Sequence, residues 1–124
     1  PDDLFLARLA AAPDAVLRGI SNALALGGIF LMVDFKFSSL VEENVGNPFA
    51  PMHYGFSLMH CMPVSLAHGG AGLGTVWGQQ VAKRMLSAAG FGSVEILDTP
   101  RPQNCSYVCR HSAAVTEASY SDAD

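Results

Sequence analysis

The stretch Ala23-Leu24-Ala25-Leu26-Gly27-Gly28-Ile29-Phe30-Leu31-Met32-Val33-Asp34 decides how this chain is built. Its first residues close a helix that opens at Pro13, which suits the first helical position, with Asp14 at the positive N-terminal end. Val16, Leu17, Ile20, Ala23 and Leu24 recur with helical period. Gly27-Gly28 breaks the helix, because glycine accepts the left-handed backbone that follows a last turn. Ile29 to Val33 is then a continuous apolar run, too short for another helix. It reads as a strand buried on both faces, the pattern of a parallel sheet. Asp34 closes that strand at its carboxyl end, where α/β folds collect ligands.

Further along, Val76, Trp77, Gln80, Val81 and Met85 predict a second helix from about Thr75 to Ala89, with Lys83-Arg84 near its end and Gly90 as its stop. Trp77 and Met85, at helical spacing, read as core. Val94 to Leu97 and Ser106 to Cys109 read as strands. The loop between them, Thr99 to Asn104, carries Pro100 and Pro102. The tail from Ala113 is polar and is expected to fray. Helix, strand, helix, strand, strand is an α/β order with a right-handed crossover. Three strands make a poor independent domain, so the 124 residues read as the second half of a larger unit. The first residues, Pro1-Asp2-Asp3, show neither an initiator Met nor the basic start of a signal peptide, which suggests a fragment or a trimmed or processed chain.

Charge is unevenly spread. Half of the chain is apolar and 15% is charged, which excludes a disordered tail. No Asp, Glu, Lys or Arg occurs from Asn44 to Ala82, a stretch that holds His53, His60 and His68. Such a segment is buried, membrane-spanning or a cover for an apolar site. Pro48, Pro51, Pro63 and the glycines from Gly69 to Gly74 break it too often for a span of about 20 residues. A net charge of -4 argues against a nucleic-acid backbone as partner. Cys61, Cys105 and Cys109 are an odd count without framework spacing, which favours a reducing cytoplasm. Cys105 and Cys109, four apart on a strand, stand about 13 Å apart at ~3.3 Å per residue and cannot share one zinc ion.

Gly70-Ala71-Gly72-Leu73-Gly74 admits two readings. As G-x-G-x-G opening a helix, with Asp98 beyond the next strand, it could cradle a nucleotide. The segment before it, Cys61 to His68, contains Pro63, Ser65 and His68 and lacks a β-branched run, so a glycine hinge capping the helix at Thr75 is the preferred reading.

The residues from Ala23 to Asp34 resemble the helix-turn-strand of class I S-adenosylmethionine-dependent methyltransferases, in which an A-L-R-P-G-G turn precedes the fifth strand; Ala25 and Leu26 replace the usual Arg and Pro. Ser57-Leu58-Met59-His60-Cys61-Met62, then Gly70 to Trp77 with Gly78-Gln79-Gln80, resemble the subgroup with an N-terminal winged-helix domain. Ala88-Ala89-Gly90-Phe91 into Val94-Glu95-Ile96 is similar to the helix and sixth strand of such enzymes, and Ser106-Tyr107-Val108 to the last, antiparallel strand. The resemblance implies an α/β fold, the C-terminal half of a Rossmann-like domain that is three-layered αβα when complete. Its parts would be a helix and central parallel strand (12–35), an uncharged helical insertion (40–74), a helix with two terminal strands (75–110) and a tail (113–124).

The resemblance also implies methyl transfer from S-adenosylmethionine to a small-molecule acceptor. The family's cofactor loop and ribose-binding acid would lie upstream of Pro1, so no cofactor-binding residue and no metal ligand is assigned here. Leu4 to Leu9 falls where the fourth strand would end, without the expected acidic and histidine residues. The stretch Asn44 to His68 would form a lid or acceptor-pocket wall, with Phe49, Met52, Tyr54, Phe56 and Met59 as its apolar surface and Pro48 and Pro51 shaping its entry. His60 is the candidate catalytic residue, as an acceptor-orienting or general-base histidine. His53, Tyr54, Phe56, Met59 and Asp34 are the candidate substrate-binding residues. His53 and His60, seven apart, would share a helix face; the competing reading is a core histidine bonded to backbone. Glu42-Glu43 reads as a solvated loop. A rival function is a non-catalytic association module that pairs with another chain, or with its own copy, through an exposed edge at Ile29 to Val33. A third is a small dinucleotide-binding domain built on the glycine loop.

Overall fold

Leu17 and Ile20 on one side of α1 (Pro13–Ala23), with Leu24 just past its end, join the helix to the rest of the chain. In the computed structural model, which describes residues 12–111, α1 leads through a turn into β1 (Ile29–Phe35). The Gly28 amide donates to the Ala25 carbonyl at 2.8 Å, and Gly27 supplies the positive φ of 76° that the third residue of this tight turn requires. The glycine pair therefore makes a four-residue turn after the helix has ended at Ala23, rather than capping the helix itself.

After β1 come a short 3-10 turn (Val41–Asn44) and then α2 (Ala50–Phe56). A π-helical turn (Ser57–Cys61) and α3 (Met62–Ala67) continue α2 as one helical rod. α4 (Gly78–Ala88), β2 (Phe91–Asp98) and β3 (Asn104–His111) complete the order. The helix predicted from Thr75 begins instead at Gly78. Its first turn is capped from another part of the chain. The Gln79 amide donates to the Phe37 carbonyl at 2.9 Å and the Val81 amide to Ser39 Oγ at 3.0 Å. Ser39 Oγ in turn donates to the Trp77 carbonyl.

The sheet has the order β1-β3-β2, and both pairings are antiparallel. Phe35 pairs with Asn104 at one end of β1 and Ile29 with Arg110 at the other. β1 and β2 thus run in the same direction on either side of β3, joined by the helical insertion and α4. The expected parallel pairing of Ile29 to Val33 is not seen among the described residues, where this strand has one neighbour and it is antiparallel.

Burial on both faces is not seen among the described residues either. Phe30 and Met32 pack inward with Cys105, Tyr107 and Cys109, under Leu17 of α1 and Ala82 and Leu86 of α4. Ile29, Leu31 and Val33 point the other way and are 52%, 60% and 58% exposed. Both helices lie on one face, so the described residues form two layers and the third layer of the expected αβα sandwich is not among them. An apolar run looks the same to the sequence whether one face is covered or two. Tyr107, Cys105 and Cys109 are buried in the sheet's centre, and burial pushes the Cys109 thiol up to about 11. Such thiols are packing groups rather than nucleophiles. The segment Leu4 to Leu9 and the tail from Ala113 lie outside the described residues.

Candidate functional site

β1 delivers Asp34 to the edge of an open cleft of about 320 Å³ at the strand's carboxyl end. Met32, Val33 and Phe35 of the same strand, Cys61 and Ser65 of the helical rod, and Leu73 to Thr75 with Trp77 close its sides. Pro13 at the start of α1 reaches it too.

Asp34 alternates onto the helix-covered face of the sheet, opposite Cys105. Its Oδ1 accepts from the Phe35 amide at 2.7 Å, and its Oδ2 accepts from Trp77 Nε1 at 2.5 Å. Removal from water holds the carboxyl above its ordinary range, and the Phe35 and Trp77 donors offset part of that rise. Trp77, read from its spacing as a core residue, does pack against the core, and its indole nitrogen also fixes this carboxylate. Beneath them the Tyr107 hydroxyl is kept firmly protonated, first by burial and then by its hydrogen bond with Cys105.

The helical rod is oriented in an unexpected way. Ala50, His53, Ser57 and Ser65 face inward, whereas Met52, Phe56, Leu58, Met59, Val64 and Leu66 face outward, each at least 45% exposed. Hydrogen bonds explain the inward stripe. Ser57 Oγ accepts from the Thr75 amide at 3.1 Å, Ser65 Oγ accepts from the Gly72 amide at 3.1 Å, and the Ser65 carbonyl accepts from the Gly70 amide at 2.7 Å. The glycine loop is thereby laced along the rod. Close contact does the rest: a Cβ on Gly74 would meet Ser57 Oγ at 2.0 Å.

His53 is buried, with Nδ1 2.8 Å from the Phe49 carbonyl and its ring against Phe35 and Phe37 at centroid distances of 4.3 and 5.1 Å. His60 is exposed on the π-helical turn. The two histidines do not share a face, because a π turn holds more residues per turn and shifts the helical phase between them. Tyr54 is half-buried, and its hydroxyl accepts from Asn44 Nδ2 at 2.9 Å. Phe56 and Met59 face outward. Of the proposed site residues, the cleft therefore brings in Asp34, and it adds Trp77, Cys61, Ser65 and Thr75. Ser57, Cys61 and Ser65 stand four apart in sequence, a polar stripe through an apolar segment that could have signalled the inward face.

The glycine loop follows a helix rather than a strand, and two of its amides donate to Ser65 of the rod. The first turn of α4 donates to Phe37 and Ser39. In both places amides that would face a phosphate or nucleotide are instead given to the chain's own oxygens. No group of three or more His, Cys, Asp or Glu side chains among the described residues could hold a metal ion, and no helix among them is long and apolar enough to cross a membrane.

No family profile and no curated protein matches the chain. Among solved structures, it is similar to a provisionally assigned O-methyltransferase of Nostoc punctiforme PCC 73102, with 28% identity over 82% of this chain and a TM-score of 0.57. The chain spans 27% of that protein's length, and across that span it shares the fold of a methyltransferase.

Proposed function

We propose that this chain is the C-terminal part of an S-adenosylmethionine-dependent methyltransferase of the winged-helix subgroup, acting on a small-molecule acceptor in a reducing cytoplasm. The observation that carries the reading is the sheet: a last strand inserted antiparallel between two strands of common direction, with an acceptor-sized cleft at the carboxyl end of β1. The likeness to the Nostoc protein supports it and favours an oxygen atom as methyl acceptor.

The chain's own share of the work is on the acceptor side. Met32, Leu73 and Trp77 exclude water from the cleft, and the helical rod walls it. Asp34, held in place through both oxygens, keeps a proton more tightly than an ordinary carboxyl and can orient a polar group of the acceptor. The residues described here do not fit the cofactor by themselves, since the glycine loop and the α4 N-terminus spend amides on the chain's own oxygens. The cofactor cradle is assigned to residues upstream of Pro1.

Calorimetry and coding sequence test this. The chain alone is expected to give no saturable heat with S-adenosylmethionine, and the upstream sequence is expected to hold a strand followed by G-x-G-x-G. Micromolar binding by residues 1–124, or upstream sequence without that motif, would sink the reading. A second reading, an association module, is favoured by the outward rows of Ile29, Leu31 and Val33 and of Met52, Phe56 and Met59. It predicts concentration-dependent sedimentation together with the absence of that upstream motif.

A further inference from the structure

Asp34 is the one carboxylate among the described residues that line the cleft, and no Lys, Arg or His stands there with it. Its two hydrogen-bond donors, the Phe35 amide and the Trp77 indole, are neutral dipoles. Among the described residues they leave the negative charge without a cation, and each oxygen retains a second acceptor site. The opposite wall comes from the stretch Asn44 to Ala82, which has no Lys or Arg, and none of its three histidines lines the cleft. Lys36 is committed elsewhere, to Asp98 at 2.6 Å. A carboxylate withdrawn from water and left unpaired is costly, and the cost is relieved by any ligand that brings a positive charge.

We propose that the cleft takes a small apolar ammonium compound, with its charged head on the Asp34 carboxylate beside Trp77 and its body against Met32 and Leu73. This rests on the reading of the cleft as the acceptor side; the ammonium is the handle by which the acceptor is held, and the reacting atom lies elsewhere on it. Each part of the ligand meets a matching surface. A carboxylate ligand of the same shape would meet like charge, and a neutral alcohol could offer one hydrogen bond without relieving the buried charge.

Trp77 is the sole tryptophan of the chain and reports on the site directly. Phenethylammonium, phenethyl alcohol and phenylpropionate are titrated at neutral pH against its fluorescence, and saturation-transfer NMR of the ligands reads the same ranking without the indole. The ammonium is expected to bind at least about tenfold more tightly than the alcohol, and phenylpropionate not at all. In Asp34→Asn the ammonium and the alcohol are expected to fall within about twofold of each other. Equal affinity of ammonium and alcohol for the native chain, binding of phenylpropionate, or no binding by any of the three overturns the proposal. The native ranking decides by itself, whether or not the variant folds. No methyl donor is present, so this inference and the methyltransferase reading fail separately.

Discussion

Asp34 holds its proton above the ordinary value of 3.8 because it is removed from water, and this links one residue to the pH dependence of the whole chain. The direction follows from which state loses the proton first. Below 3.8 the group is protonated in both folded and unfolded chains, and its contribution to stability is fully present. As pH rises through 3.8 the unfolded chain ionises while the folded chain still holds its proton, so stability falls until the folded value is passed. Above that value the contribution is flat. Asp34→Asn removes the titration. Urea midpoints followed by circular dichroism across this range are therefore expected to decline with pH more steeply in the native chain than in the variant. Every other carboxylate is common to both, so the difference isolates Asp34, and parallel profiles would refute the assignment.

Among the elements, α4 and the helical rod make opposite demands on glycine. Gly78 opens α4 at a φ of 81°, and a Cβ there would lie 2.2 Å from the Ser39 amide nitrogen, in the linker that caps the helix. Gly55 sits within α2 with nothing within 4 Å of where a Cβ would be. Gly78→Ala is expected to cost about 3 kcal/mol or more, combining backbone strain with a clash against main chain. Gly55→Ala is expected to gain about 0.5–1 kcal/mol from helix propensity. Thermal unfolding of the two variants should move in opposite directions.

The same elements show what could be read in the sequence. α1, β1 and the last two strands were legible, because periodicity, an unbroken apolar run and bracketing Gly and Pro residues mark them locally. The partner of β1 was not legible, since antiparallel and parallel neighbours suit Ile29 to Val33 equally well. The rod's orientation was hidden for a different reason. Its inward stripe is Ala50, His53, Ser57 and Ser65, so assigning large apolar residues to the interior selects the wrong side. Of the cleft, Asp34 was legible from its place at a strand's end. Trp77 was read as packing alone, because nothing in a sequence announces that an indole nitrogen will find a carboxylate 43 residues away.

At the scale of the molecule, two layers leave one sheet face bare. Ile29, Leu31 and Val33 on β1 and Leu97 on β2 share that outer face and are all substantially exposed, and the far edge of β1 has no partner strand among the described residues. If the chain is the C-terminal part of a larger catalytic domain, upstream residues supply the missing layer and the row becomes core. One substitution then has two costs. In the 124-residue chain, Leu31→Lys places a charge on a side chain already 60% exposed, and the expected change in unfolding free energy lies within about 0.5 kcal/mol of zero. In the longer protein the same lysine must be buried without a partner, at an expected cost of about 3 kcal/mol or more. Denaturant unfolding of both lengths, with and without Leu31→Lys, measures the difference. A lysine tolerated equally in both would mean that nothing upstream covers this face and would favour the association module. A lysine tolerated in the short chain and damaging in the long one would place the sheet's second face inside a larger domain.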